Sequence, residues 1–331
     1  MAFITVNQRK ASNTTLFHAM DIYSKGQPWN LFSTIFKTKD QTAYFDWLGE
    51  FSGVKEFIDT RDIQALRQHD FSITSRVWEK TIGVKKRDLT PNLGMIKPRI
   101  DQMGLTLMQH PNKLFFDFLK GGDGEQAGGG AKGTYPWAGC FDTQTFFSNS
   151  HPVYDPDPGV GATNDNITTG TGVDTVAHVT ADFESAQQGF FNLHVRSGDP
   201  MFDDGPGAKP YIICAAEDIA IFTEAFLREF DTSNNRNPYF GQVAGVIPNA
   251  RLNTDTTYDV NGHKSTYTQE SWFLVRGDMP IRPLIMMETE PFTAEWFEGD
   301  RFMSDQYAYG ARAEYNLGFG FWQVIQKIYN A

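Results

Sequence analysis

The feature of this sequence that most constrains its fold is a run near the C-terminus in which every second residue is apolar. The apolar positions are Tyr307, Tyr309, Ala311, Ala313, Tyr315, Leu317, Phe319 and Phe321. The intervening positions include Arg312, Glu314, Asn316, Gly318 and Gly320. Alternation with a period of two places one set of side chains on a single face of a β-strand. Fifteen residues at ~3.3 Å each span ~50 Å, so we predict either one long strand bent at its glycines or two consecutive strands.

A second regular pattern predicts a long helix over residues 98–120. Ile100, Met103, Leu107 and Met108 recur at helical spacing. A proline at position 98 is tolerated in a first helical turn, whereas Pro111 should kink the helix. The apolar pattern resumes after Pro111 and stops at the two glycines that follow residue 120.

Shorter apolar runs predict further strands and one more helix. Strand patterns occur at residues 71–88, 211–215, 243–247, 272–275 and 284–287, and a helix is expected over residues 217–230. In the first of these strands, Trp78, Ile82 and Val84 share one face. Strands and helices do not alternate regularly, so the fold class is α+β with segregated helices. A length of 331 residues suggests two domains, or one domain with large insertions.

The first 40 residues are rich in aromatic side chains but show no regular period, so we expect them to be irregular. An aromatic-rich segment of this kind and a two-stranded hairpin over residues 71–88 are both unstable alone in water. We therefore expect both segments to become ordered only when neighbouring copies of the chain cover them.

Charge and cysteine content exclude several classes of protein. The chain has 29 basic and 40 acidic residues, a net charge of −11, which disfavours a sequence-specific reader of nucleic acid. Cys140 and Cys214 lie in no CxxC motif, so we expect no disulfide framework and no zinc ribbon. No apolar run approaches the ~20 residues that span a bilayer, so we expect no membrane helix. A secretory signal is not expected either.

No motif predicts catalysis, a cofactor or a metal. The glycine-rich stretch around Lys132 is followed by Gly133, where a phosphate-binding loop needs Ser or Thr. No GxSxG elbow and no pair of histidines at i, i+4 spacing occur. One alternative stays open at this point, a soluble enzyme with an acidic site around His151 and Asp155, where Asp157 could also ligate a cation. We predict that the chain is not an enzyme.

Several short stretches, in this order along the chain, resemble the major head subunit of Mu-like tailed phages. They are Asp46-Trp47-Leu48-Gly49 with Lys55-Glu56, Ser72-Ile73-Thr74-Ser75-Arg76-Val77-Trp78-Glu79 with Thr81 and Val84, His110-Pro111 before Leu114, Phe141-Asp142, Phe146-Phe147-Ser148-Asn149-Ser150-His151-Pro152, Gly198-Asp199-Pro200-Met201, Asn237-Pro238, Ser271-Trp272-Phe273-Leu274 and Arg282-Pro283-Leu284-Ile285. The similarity is patchy but collinear from about residue 44 to the end of the chain.

The resemblance implies the HK97-like capsid fold and a division of the chain into six parts. These are an N-terminal arm (1–43), short helices of the peripheral domain (44–65), an extended loop formed by a hairpin (66–92), the peripheral domain with its spine helix and loops (93–204), the axial domain (205–265), and a return to the axial and peripheral sheet (266–331). The glycine-rich loop at 121–133 and the loop at 154–180 are longer than the resemblance predicts.

By the same resemblance, the chain is a major capsid protein that self-assembles into hexamers and pentamers of an icosahedral head around double-stranded DNA. The implied partners are separate scaffold or protease and portal proteins, non-specific contacts with the packaged DNA, and a decoration protein. The implied location is the virion, after assembly in the host cytoplasm. An encapsulin-like shell around protein cargo is the alternative. The predicted inter-subunit contacts are Trp29, Phe32, Trp78, Ile82, Lys85, Lys86 and Arg87.

Overall fold

The computed structural model of the chain describes residues 6–45, 71–85, 96–124, 139–142, 144–152, 163–195, 199–207, 209–231, 233–297 and 306–330. The helices are α1 (Val6–Ser24), α2 (Pro28–Phe32), α3 (Lys97–Gly121), α4 (Val176–Phe191) and α5 (Ile219–Phe222). The strands are β1 (Ser33–Lys37), β2 (Thr42–Tyr44), β3 (Ser72–Thr74), β4 (Arg76–Lys85), β5 (His151–Pro152), β6 (Thr163–Asn164), β7 (Ile167–Thr169), β8 (Tyr211–Ala215), β9 (Gly245–Asn249), β10 (Thr257–Val260), β11 (His263–Thr266), β12 (Ser271–Val275), β13 (Leu284–Phe297), β14 (Gln306–Phe319) and β15 (Ile325–Tyr329).

The alternating C-terminal run forms a single long strand, β14, at the centre of a four-stranded sheet. The order of strands is β1-β13-β14-β4, and β14 pairs antiparallel with both of its neighbours. Every apolar residue of the alternating face from Tyr307 to Phe319 is buried. The partner strand β13 shifts register on either side of Glu290, next to Pro291, whose nitrogen cannot donate to a ladder.

Helix α3 confirms the predicted long helix and packs across the buried face of this sheet. It runs for 25 residues and contains Pro111. Its buried side chains face two clusters. Ile100 and Met103 pack with Tyr307 and Tyr309, and Phe115 and other residues after Pro111 join the main core. The spacing of apolar residues that predicted the helix is therefore the spacing of its contacts with the sheet.

The expectation of an irregular N-terminal segment is wrong for the residues that the structure describes. Residues 6–24 form α1, which lies on α3, and Leu16 is completely buried there. A Cβ atom built on Gly104 of α3 would lie 2.9 Å from Cβ of Ala19, so the two helices approach closely at this glycine. Strand β1 then pairs in parallel with β13. The N-terminal segment therefore packs against α3 and β13 of its own chain.

The same correction applies to the described part of the predicted extended loop. Strand β4 pairs with β14 over ten consecutive residues, from Arg76 opposite Tyr315 to Lys85 opposite Gln306. Strand β3 pairs instead with β2. On this strand Val84 is buried, and Trp78 and Ile82 are half-buried against other parts of the same chain, so the expectation that only a neighbouring copy covers this apolar face is wrong.

A second, five-stranded sheet of order β7-β15-β12-β8-β9 contributes buried side chains to the main core. All five residues of its central strand β12 are buried. Helix α4, which the sequence analysis did not predict, packs against β15 and β7 and begins after Thr175, whose side chain accepts a hydrogen bond from the backbone N–H of His178. The predicted helix at 217–230 is shorter. It comprises α5 and one π-helical turn that ends at Leu227.

Both cysteines, Cys140 and Cys214, are free and buried. No helix among the described residues has the length and apolar character needed to cross a membrane. The division of the chain into six parts stays a prediction. Of the short helices expected at 44–65, residues 46–65 lie outside the described residues, and Tyr44 is the last residue of β2.

Candidate assembly surface

Trp78, on β4, has partners within its own chain. Its Nε1 donates a hydrogen bond to the backbone oxygen of Tyr315, with 2.8 Å between N and O. Its ring lies 4.2 Å, centroid to centroid, from the ring of His110 on α3. Nδ1 of His110 is 2.8 Å from the hydroxyl oxygen of Tyr315. These three residues join β4, α3 and β14, so Trp78 holds the strand to its own subunit.

Burial governs the ionisation of this junction. Desolvation, with positive charge on Lys113 and Arg251, lowers the pKa of His110 to about 4. Burial also raises the pKa of the Tyr315 hydroxyl. At neutral pH both groups are therefore uncharged, as a half-buried aromatic cluster requires.

Trp29 and Phe32 lie in the core of their own chain. Trp29 is 8% exposed and Phe32 is 0% exposed. The ring of Phe32 packs against Tyr211 at a centroid distance of 5.3 Å and against Phe115 at 6.3 Å. An inter-subunit contact by either residue would require the core to open, so the contacts predicted for them are corrected to core packing.

Of the other four residues predicted to contact a neighbouring subunit, two are described by the structure and two are not. Ile82 is half-buried beside the cluster of α3 and β14 side chains, and Lys85 is exposed at the end of β4. Lys86 and Arg87 lie outside the described residues. Contacts of Ile82, Lys85, Lys86 and Arg87 with another subunit stay a prediction.

Large apolar side chains that stay exposed, which the sequence analysis did not single out, are further candidates for contact. They lie in two stretches of the chain: Phe17, Ile22, Leu31, Ile35 and Phe36 near the N-terminus, and Leu227, Phe230 and Phe240 after α5. Phe230 falls within the helix predicted over residues 217–230, but it is 50% exposed because the helix ends at Leu227.

His151 is completely buried and makes structural contacts. Its Nδ1 lies 2.5 Å from Oδ2 of Asp142, and its Nε2 lies 3.2 Å from Oδ1 of Asn166. Its ring stacks on Trp322 with a centroid distance of 3.9 Å. Asn166 in turn accepts from the backbone N–H of Ser148. The cluster ties the loop before β5 to the second sheet and leaves no room for a substrate at His151.

The other residues of the acidic-site alternative, Asp155 and Asp157, lie outside the described residues. In the described parts of the chain, no group of three or more His, Cys, Asp or Glu side chains could hold a metal ion.

A long helix crossing a sheet, with a second sheet beside it, is the architecture of HK97-like proteins that form phage shells. The procapsid protein of bacteriophage JBD30 has this fold, with a TM-score of 0.52, 22% identity and coverage of 98% of this chain and 75% of that one. The sequence model of the family described as "Mu-like prophage major head subunit gpT" matches residues 9–186 and 224–330. The chain therefore belongs to the Mu-like major head subunit family.

Two named relatives agree with this assignment. The major capsid protein of Escherichia phage Mu is 31% identical over 135 residues, which is 40% of this chain and 40% of the relative. The Mu-like prophage FluMu major head subunit of Haemophilus influenzae is 25% identical over 221 residues, 65% of this chain and 64% of the relative. The matched stretches thus span less than two thirds of either relative's length.

Proposed function

We propose that this chain is the major capsid protein of a phage head, which self-assembles into hexamers and pentamers of an icosahedral shell around double-stranded DNA. The observation that carries the proposal is the family match over most of the chain, together with an HK97-like fold that covers 98% of it. The protein belongs to the virion after assembly in the host cytoplasm. Separate scaffold or protease and portal proteins and a decoration protein complete its proposed set of partners.

The surface of the subunit supports this function. Large apolar side chains stay exposed in two stretches of the chain, near the N-terminus and after α5, and exposed apolar surface marks sites of protein–protein contact. A closed shell requires each subunit to contact neighbours through different surfaces, which meet in a head-to-tail manner and close on themselves. Exposed apolar side chains in two stretches of the chain are compatible with that requirement.

Charge supports a non-specific role toward DNA. A subunit with a net charge of −11 repels the phosphate backbone in bulk, so only local groups of Lys and Arg can contact it. Such contacts carry no sequence information. We expect the protein to have no enzymatic turnover, because its family role is structural and His151 is buried.

Electron microscopy of the purified chain, followed by extraction of the particle contents, tests the proposal. We expect closed shells, and one long double-stranded DNA in particles purified from the host. Particles that contain protein cargo and no long DNA would support the encapsulin-like alternative. A chain that stays monomeric under all assembly conditions would refute the proposal.

The exposed side chains after α5 allow a more local test. Leu227→Ser combined with Phe230→Ser should lower particle yield at least tenfold with an unchanged melting temperature of the free subunit, because both side chains are about half exposed. Arg228→Gln is the control between them: this side chain is 57% exposed, and its replacement removes little apolar area. Equal yields from the double variant and the control would show that Leu227 and Phe230 are not at a contact surface.

A further inference from the structure

Both ring nitrogens of His151 face oxygen atoms, on a side chain that is completely buried. Nδ1 faces Oδ2 of Asp142, and Nε2 faces Oδ1 of Asn166. A neutral imidazole has one N–H donor and one acceptor, whereas the imidazolium ion has two donors. A neutral ring would therefore bring two acceptors together at one of these two contacts.

Backbone groups fix the orientation of the Asn166 amide. Its Oδ1 accepts a hydrogen bond from the backbone N–H of Ser148 at 2.9 Å. Its Nδ2 donates to the backbone oxygen of Phe146 at 2.8 Å and to that of Trp322 at 3.4 Å. Rotating the amide by half a turn would place oxygen against oxygen and N–H against N–H. Oδ1 therefore stays toward Nε2 of His151, and Nε2 must be the donor.

The surroundings of the ring also favour a positive charge. The side chain of Asp142 is 1% exposed, and its Oδ1 accepts from the backbone N–H of Gln144, so the carboxylate makes a hydrogen bond at each oxygen. A charge-assisted bond to a carboxylate stabilises an imidazolium ion, and so does the face of Trp322, which is stacked on the ring at an angle of 5°. Asp165 is the second acidic group near the ring. Burial raises the pKa of Asp165, and the positive charge of His151 opposes that shift.

We propose that His151 is a buried imidazolium ion that acts as a pH-sensitive latch, closing residues 142–151 on the second sheet. The doubly protonated ring joins Asp142 to Asn166, and the backbone oxygen of Asn166 accepts a hydrogen bond from the N–H of Lys327 on β15. Loss of one ring proton leaves two buried acceptors facing each other, which removes a hydrogen bond and adds a desolvation cost. Residues 146–152 should then separate from the second sheet as the pH rises. The latch lies within one subunit and does not depend on shell assembly.

Nuclear magnetic resonance of the full-length free subunit, with ¹⁵N in the histidine rings, tests the charge directly. At pH 7.5 we expect the shifts of both His151 nitrogens to be those of protonated nitrogen. Burial lowers the pKa of His110 to about 4, so its ring is the internal reference for a neutral imidazole at that pH. The chain has 7 histidines, and replacing the others one at a time identifies the His151 signals.

Hydrogen exchange of the same subunit measures the opening. The N–H of Ser148 bonds Oδ1 of Asn166, and the N–H of Asn166 bonds the backbone oxygen of Ser148. Between pH 7 and pH 9, after correction for the intrinsic exchange rate, these two amides should lose protection at least tenfold. Amides of β14 should change less than twofold over the same range.

Two variants separate the latch from an ordinary surface histidine. Asn166→Ala removes the acceptor at Nε2, so a neutral ring keeps its Nδ1–H bond to Asp142, and the loss of protection at Ser148 above pH 7 should disappear. His178→Gln is the matched control, because His178 pairs with Asp174 at the surface and 44% of its side chain is exposed. This variant should leave the loss at Ser148 unchanged.

An unprotonated His151 nitrogen at pH 7.5 would overturn the proposal, and this measurement needs no variant at position 166. An equal loss of protection across β14 would show general unfolding instead of a latch. Loss of protection at Ser148 that persists in a folded Asn166→Ala subunit would also overturn it.

Discussion

Gly104 sets the distance at which α1 lies on α3, and replacing it tests whether the N-terminal helix belongs to its own subunit. In an unobstructed helix, Gly→Ala stabilises by about 1 kcal/mol. Here the new Cβ would lie 2.9 Å from Cβ of Ala19 and 3.3 Å from the backbone oxygen of Leu16. Overpacking of this kind costs about 1–3 kcal/mol. Gly104→Ala should therefore lower the free energy of unfolding by about 0–2 kcal/mol instead of raising it.

The double variant makes this prediction sharper. Ala19→Gly alone should cost about 1 kcal/mol of helix propensity and about 0.8 kcal/mol for the buried methyl group. In Gly104→Ala with Ala19→Gly, the methyl group moves from one helix to the other across the same gap, and the clash disappears. The double variant should thus approach wild-type stability, and its loss should be smaller than the sum of the single losses by about 2–4 kcal/mol.

Urea denaturation of free subunits measures these differences, and hydrogen exchange locates them. In the Gly104→Ala variant, amides of residues 6–24 should lose protection, and the double variant should restore it. Additive effects of the two substitutions, or stabilisation by Gly104→Ala alone, would refute the close packing of α1 on α3. In that case the N-terminal segment would be free to leave the subunit.

Three further predictions concern other contacts. Trp78→Ala should lower the melting temperature of the free subunit, because the indole bonds its own chain, whereas Ile82→Ala, at a half-buried position, should lower it less; equal effects in thermal melting would contradict this. Burial lowers the pKa of His110 to about 4, so the unfolded state binds more protons than the folded state between pH 6.5 and 4, and the free energy of unfolding should decrease as the pH is lowered through that range; His110→Gln should flatten that part of the urea-midpoint profile. Lys327→Met should cost about 3–5 kcal/mol because it removes the ammonium partner of the buried Asp123 carboxylate, and adding Asp123→Asn should recover part of the loss in urea titrations.

Elements that carry their own periodic pattern could be predicted from the sequence. Strand β14 follows the alternating run, and α3 follows the apolar spacing despite Pro111. The core strands β8 and β12 are short apolar runs and were also predicted. In each case the local period matches the face that the fold buries, so the residues contain the information needed.

Elements stabilised mainly by tertiary contacts could not be predicted. Helix α1 includes Ser12, Asn13 and two threonines, which favour loops, and packing at Gly104 compensates for them. Register between distant strands, such as β4 beside β14, has no signal in a single sequence. A cavity of about 660 Å³ lined by Tyr23, Met108 and Arg251 could not be anticipated either, because its lining residues come from three separated parts of the chain.

The source of assembly energy therefore differs from the one that the sequence alone suggests. The sequence predicts segments left without cover until neighbours arrive, yet α1, β1 and β4 pack on their own subunit. We expect the free energy that joins subunits in the proposed shell to come from apolar side chains that stay exposed after folding, such as Ile22 and Phe230. Apolar area that remains in contact with water after folding is the area that association can still bury.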